Sequence, residues 1–247
     1  MPENDVDRSS SSSCLTALKT KLSDCVNMHE QCQEISDGWI PTRLIDIIEY
    51  SSSCMARVVH RDAAARDQPY EALRYLTLSH MWGKYDFLVL TTSNFHQLSW
   101  EFPVSQLPRT FRDAITVACR LGLRYLWIDS LCILQDSKDD WSVESGLMHK
   151  VYMNVFCNIA SSLSQCPEEG LFWERNSALA GSFTVQFQLG HYNQEFDVDL
   201  DLQETTLRHS PLYKRGWVLQ ESCLSPRTIH FSRFPAFECR IFLASES

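Results

Sequence analysis

Between Tyr75 and Ala160 the sequence alternates strand, helix, strand, helix and strand, which limits the chain to a layered α/β architecture. Tyr75–Leu78 (YLTL) reads as a short strand running into Ser79, His80, Met81, Trp82 and Gly83, where glycine permits a sharp turn. Phe111, Ala114, Ile115, Ala118 and Leu121 then recur at helical spacing. Thr110 and Asp113 are placed to form a capping box at the start of that helix, and Gly122 stops it. Tyr125–Ile128 (YLWI) is a continuous apolar run of the kind buried on both faces of a sheet. Asp139 is expected to cap a second helix whose inner stripe is Trp141, Met148, Val151, Tyr152 and Val155, and 156–160 returns as a strand. Strands joined through helices need crossover connections, which are right-handed and give a parallel sheet.

On either side the pattern changes. Residues 1–13, with serines at 9–13, read as a disordered tail, and Leu15, Leu18, Leu22 and Val26 predict a helix over 15–35. Residues 40–48 read as a strand and 57–60 as its hairpin partner. Beyond 181 the chain turns β-rich. Phe183, Val185, Phe187 and Leu189 alternate strictly, 190–194 can turn, and Phe196, Val198 and Leu200 alternate again. A helix over 211–224 and closing strands at 228–231 and 236–239 complete one α/β domain over 14–247, with 75–160 as its core and 181–247 as a β-hairpin-rich closing segment.

With 44% hydrophobic, 11% aromatic and 21% charged residues, the composition is that of a globular protein and excludes disorder as a description of the whole. The formal charge of -9, from 22 basic and 31 acidic side chains, argues against a nucleic-acid partner, since phosphate neutralisation needs a basic face. Apolar stretches are cut by Arg120, Arg124 and Asp129, so none approaches the run of about 20 residues that spans a bilayer. The polar N-terminus has no apolar core of a secretory signal, so a cytoplasmic location with reduced thiols is expected of the ten cysteines.

Cys25, His29 and Cys32 have the one ligand-like spacing, lying at i, i+4 and i+7 on one helical face. They would hold zinc if a fourth ligand such as Cys54 came near. The alternative, favoured by the lack of a second ligand pair, is that they pack one helix stripe with Leu18, Leu22 and Ile35.

Ligands gather beyond the carboxyl ends of parallel strands. That rule picks out Ser79, His80, Trp82 and Gly83 after one strand, and Asp129, Ser130, Cys132, Gln135 and Asp136 after the next. Cys132, His80 and Asp129 form a nominal nucleophilic set, although isolated Cys and His residues more often pack than react. Glu144 falls on the inner face of its helix, where a carboxylate is costly unless paired, for example by Arg215, or used. Arg215, Gly216, Trp217, Gln220 and Glu221 make a further constellation suited to a planar or anionic ligand, or to ion pairs that tie the last helix to the sheet. Neither a GxGxxG nor a Walker pattern occurs.

The runs LSHMWG (78–83), LPRTFRDAI (107–115), LGLRYLWIDSLCILQD (121–136), EEGLF (168–172), RGWVLQESCLSPRTIHF (215–231) and FECR (237–240), with Asp140 and Trp141 followed by Met148 and Tyr152, resemble the fungal heterokaryon incompatibility (HET) domain. The upstream C-x3-H-x2-C and PTRLID (41–46) resemble the usual approach to it. His80 stands where the family usually has tyrosine. The resemblance implies allorecognition and cell death between fungal hyphae. It also implies a TIR-like fold: a central, mostly parallel sheet flanked by helices.

Some TIR proteins hydrolyse NAD with a glutamate in a W-C-x-x-E pattern, which W-S-V-E (141–144) resembles, with serine in place of cysteine and the glutamate one residue nearer the tryptophan. By that analogy Glu144 stabilises an oxocarbenium-like transition state while Trp82 or Trp217 stacks on the base, with NAD as substrate, no cofactor named by the sequence and self-association of the chain. Many members continue well beyond FECR, whereas this sequence stops at Ser247. A chain complete at that length suggests a second function, an enzyme of specialised metabolism acting on a small organic molecule. There His80, Asp129 and Glu144 move protons, Cys132 is nucleophile or packing, and Trp82, Trp127, Trp141 and Trp217 wall the pocket. A non-catalytic interaction module is the third.

Overall fold

The computed structural model describes residues 12–33, 38–47, 54–66, 69–174, 183–189, 192–198 and 209–245. Its strands are β1 (Arg43–Asp46), β2 (Met55–His60), β3 (Tyr75–Ser79), β4 (Phe102–Pro103), β5 (Tyr125–Trp127), β6 (Cys157–Ser161), β7 (Phe183–Leu189), β8 (Tyr192–Val198), β9 (Arg227–Phe231), β10 (Ala236–Cys239) and β11 (Leu243–Ser245). Its α-helices are α1 (Ser12–Met28), α2 (Arg61–Ala64), α3 (Phe95–Trp100), α4 (Arg109–Leu121), α5 (Asp129–Cys132), α6 (Lys138–Met153) and α7 (Gly216–Leu224).

One sheet runs in the order β11, β10, β9, β6, β3, β5, β1, β2, β4, and β7 pairs with β8 separately. The expected parallel block is present: β3 lies parallel to both β5 and β6, and β6 to β9. The whole sheet is nevertheless mixed, not mostly parallel, because β1, β2 and β4 on one side and β10 and β11 on the other pair antiparallel. The connections β1 to β2 and β9 to β10 are too short for a crossover helix, so those strands must reverse. The buried stretches Tyr75, Leu76, Leu78 and Tyr125, Leu126, Trp127 fill the centre. Asp46, 2% exposed, ties three strands by accepting from Arg57 on β2 (2.9 Å) and from Arg124 beside β5 (2.8 Å).

The crossover β3–α4–β5 runs one way along the sheet and β5–α6–β6 runs back across β3. Right-handed connections in opposite directions place their helices on opposite faces. Accordingly α4 shares its face with α1, and α6 packs against α7. The chain leaves the adjacent ends of β3 and β5 toward opposite faces, which opens a crevice there.

Several local expectations shift. Ser12 and Ser13 belong to α1, while residues 1–11 lie outside the described residues. The first helix ends at Met28 rather than 35, and a 3-10 turn (Glu30–Cys32) follows. Thr110 and Asp113 do not cap α4; they accept from the backbone N–H groups of Gly170 (3.1 Å) and Leu171 (2.8 Å) and anchor the EEGLF loop. Ser137, not Asp139, caps α6. The hairpin turn is shorter than expected, since Leu189 pairs with Tyr192, and residues 199–208, including Leu200, lie outside the described residues. Pro211–Leu224 divides into a 3-10 turn (Pro211–Lys214) and α7, with Arg215 extended between them. Among the described residues no helix is long and apolar enough to cross a membrane.

Candidate functional site

The crevice beyond β3 and β5 is a cleft of about 140 Å³ lined by Trp82, Asp129, Ile133, Gln135, Trp141, Ser145, Met148, Arg215 and Trp217. Its acid is Asp129, the first residue of α5. The indole Nε1 of Trp82 donates to one carboxylate oxygen of Asp129 at 2.9 Å and the backbone N–H of Ser130 to the other at 2.8 Å. Arg215 Nη2 stands 3.8 Å from the same oxygen that Trp82 holds. The break between the 3-10 turn and α7 lets Arg215 reach this far, and its Nη1 also donates to the His80 carbonyl. Gln135 donates to the carbonyls of Asp129 (3.2 Å) and Ile133 (2.9 Å), fixing the loop after α5. Trp141 and Trp217, 52% and 50% exposed, present their rings at the rim. Trp141 is therefore at the surface and not in the inner stripe expected for it.

Behind this wall lies a second carboxylate. Glu221 on α7 is 3% exposed, and its Oε2 has no hydrogen-bond partner. Burial, reinforced by the charge of Asp129, pushes its pKa up from 4.5 to about 7, although Ser79, Arg215 and Tyr152 favour the ionised form. Ser79 also donates to Asn158 at 3.2 Å. Tyr152 is wholly buried, and desolvation followed by the charges of Glu221 and Asp129 holds its hydroxyl protonated. Sequence reasoning placed Tyr152 only in a helix stripe; that a buried tyrosine needs a partner for its hydroxyl was the available signal.

His80 is buried beside Trp82, with ring centroids 6.3 Å apart and planes 12° from parallel, and Phe111 meets it edge-to-face with centroids 4.8 Å apart. Asp129 Oδ1 is 3.9 Å from its Nδ1, and neither ring nitrogen makes a hydrogen bond of ordinary length. Desolvation lowers its pKa, so the ring is neutral. Cys132 is 1% exposed, and burial pushes its thiol up to about 12, far from a thiolate nucleophile at neutral pH.

Glu144 is buried, as its helical phase implied, but its partner is Arg43 on β1 rather than Arg215. Arg43 lies 3.8 Å from Glu144 and 2.5 Å from Asp140, and donates to the Cys132 carbonyl at 2.7 Å. Glu144 faces this arginine, while its neighbour Ser145 lines the cleft. Arg43 lies within the PTRLID run, but nothing in that run says which carboxylate its side chain meets. Gly83, at φ +65°, is where a Cβ would meet Cys166 Cβ at 2.9 Å, so its glycine serves the turn. Gln220 is half-buried on α7 and outside the cleft wall. Trp127 is core, packed edge-on against Tyr152.

Away from the cleft, Cys239 on β10, not the exposed Cys54, joins Cys25, His29 and Cys32.

No characterised protein and no solved structure matches the chain. The sequence pattern of the family described as heterokaryon incompatibility protein (HET) matches residues 75–221, from the first residue of β3 to Glu221. That segment is more than half the chain and holds every residue of the cleft, so this protein belongs to the heterokaryon incompatibility (HET) family.

Proposed function

We propose that this HET-family protein acts in fungal allorecognition and cell death, in the cytoplasm, by binding a small planar or anionic molecule in the cleft and processing it. The observation that carries the reading is the fixed carboxylate of Asp129, set between Arg215 and the indoles of Trp82, Trp141 and Trp217. Arginine suits a phosphate or carboxylate, and half-exposed indoles suit a planar ring. A carboxylate already held by two donors stabilises a developing cation without reorganising, which is what cleavage of a nicotinamide–ribose bond requires. In this reading Asp129 takes the part that sequence analogy gave to Glu144, because Glu144 is engaged with Arg43. Glu221 lies behind Asp129 as a proton store.

A cavity of about 140 Å³ is below the roughly 300 Å³ at which ligand pockets usually begin, so it admits one ring. For NAD, the nicotinamide end enters and the remainder lies over Trp141 and Trp217. The same narrowness favours a second reading, a fungal specialised-metabolism enzyme for a smaller organic molecule.

The deciding experiment follows nicotinamide release from NAD by the purified chain at low and high protein concentration, so that self-association registers as a concentration-dependent rate. Asp129→Asn should lower release by about 100-fold or more. An undiminished rate in that variant overturns the assignment of Asp129. Absence of release by the parent chain, with a smaller ligand quenching Trp217 fluorescence, selects the second reading.

A further inference from the structure

The cluster beside β10 is separate from the cleft, and all four of its residues lie outside the segment matched to the family. We propose that Cys25, His29, Cys32 and Cys239 form a structural zinc site that fastens the N-terminal helix to the C-terminal edge of the sheet.

The ligand atoms of the four residues lie within 4.8 Å of one another. Tetrahedral zinc with bonds of about 2.3 Å to sulfur and about 2.0–2.1 Å to nitrogen sets sulfur–nitrogen edges at about 3.5–3.6 Å and sulfur–sulfur edges at about 3.8 Å. Cys239 Sγ lies 3.6 Å from His29 Nδ1, the separation a shared zinc ion requires. The remaining distances, at most 4.8 Å, need contract by no more than about 1.3 Å to reach those edges.

The backbone is shaped to converge the ligands. Cys25 is on the last turn of α1, which stops at Met28. His29 adopts an extended conformation, φ -105° and ψ 96°, and the 3-10 turn brings Cys32 back, its N–H donating to the His29 carbonyl at 3.0 Å. Arg227 Nη2 donates to the Cys32 carbonyl at 2.5 Å, and Arg240 Nη1 to the Gln31 carbonyl at 2.8 Å, so an arginine on β9 and one just after β10 hold this turn. The His29 ring is set edge-on by Phe242, with centroids 5.2 Å apart.

Three sulfurs and one imidazole nitrogen are the donor set of a closed, four-coordinate structural site, with no position left for a water or substrate. Cys25 and Cys32 are fully buried, consistent with that closure. On binding, three thiol protons leave to solvent and His29 coordinates as the neutral imidazole. The complex then carries one net negative charge, and the Arg227 guanidinium beside Cys25 offsets it. The ligands span sequence positions 25 to 239, so the metal closes a loop of most of the chain.

The test uses the full chain, purified reduced and without a polyhistidine tag. Elemental analysis should find about one zinc per chain. Cobalt(II) added after chelation should give thiolate-to-metal charge-transfer and tetrahedral d–d bands. Cys239→Ser should abolish stoichiometric zinc, Cys239→His should retain it, and Cys54→Ser should leave it unchanged. Chelation should lower Tm by about 10 °C if the metal normally saturates its site 100- to 1,000-fold. A reduced, folded chain that takes up neither zinc nor cobalt overturns the proposal, as does a Cys239→Ser chain with full zinc content or a disulfide among the three cysteines in freshly isolated protein. If Cys239→Ser does not fold, the metal content and cobalt spectrum of the parent chain decide.

Discussion

Glu221→Gln tests the electrostatics of the cleft directly. The carboxyl group is 3% exposed and its pKa rises from 4.5 to about 7, first through desolvation and then through the charge of Asp129. At about 1.4 kcal/mol per pH unit, that displacement corresponds to about 3 kcal/mol. The burial leaves little solvent screening to discount. The folded state holds this proton more tightly than the unfolded state, so the contribution to stability is fully present below about pH 4.5 and is lost as pH climbs through 7. Glutamine at 221 cannot titrate. The stability of the parent chain minus that of Glu221→Gln should therefore fall by about 3 kcal/mol between pH 4.5 and 8, or roughly 6–12 °C in the Tm difference for a chain of this size.

Urea and thermal unfolding at half-unit pH steps read this out, and the difference between the two proteins cancels titrations they share. In the undifferenced curve of either protein the neutral His80 contributes with the opposite sign: its pKa is lowered, so its contribution is present above 6.5 and lost as pH falls. The groups around Glu221 fix the coupling. Asp129→Asn should lower the midpoint of the Glu221 step, and Arg215→Met should raise it. A flat difference curve across pH 4.5–8, or one that rises with pH, refutes the claim that a protonated Glu221 backs the cleft.

Arg43→Met should cost about 3 kcal/mol in urea unfolding, because it leaves Asp140 and Glu144 facing each other without the cation; Glu144→Gln in that background should restore part of the loss, and a cost below about 1 kcal/mol would contradict the pairing. Glycines separate cleanly by environment. Gly146→Ala, inside α6 with nothing within 4 Å of the new Cβ, should stabilise by about 1 kcal/mol, whereas Gly83→Ala, at φ +65° and 2.9 Å from Cys166 Cβ, should destabilise by at least as much in the same assay.

The residues at Tyr75–Ser79 and Tyr125–Trp127 show what a sequence states openly. Apolar runs bounded by glycine define strands, and helices between them define parallel pairing; the crevice at their ends follows from handedness alone. The antiparallel flanks were half legible. The partnership of β1 with β2 could be read from proximity, but its docking against β5 could not, because Ile45 and Leu126 meet across 81 positions with nothing in their types to announce it. Residue types at the cleft were readable and their pairings were not. Asp129 and Trp82 were grouped because both follow adjacent strands, but the choice between Arg215 and Arg43 as the partner of Glu144 depended on which face of α6 looks toward β1, and one helical residue turns the direction by about 100°. The cluster of Cys25, His29, Cys32 and Cys239 was half legible for the same reason in reverse. A continuous helix through Cys32 put three ligands on one stripe with nothing opposite, and ending that helix at Met28 redirects His29 and Cys32 toward β10, where Cys239 waits more than two hundred positions away. A cluster assembled by a helix end and a distant strand is set by tertiary geometry, so spacing within the first segment can nominate it and only the closing strand can complete it.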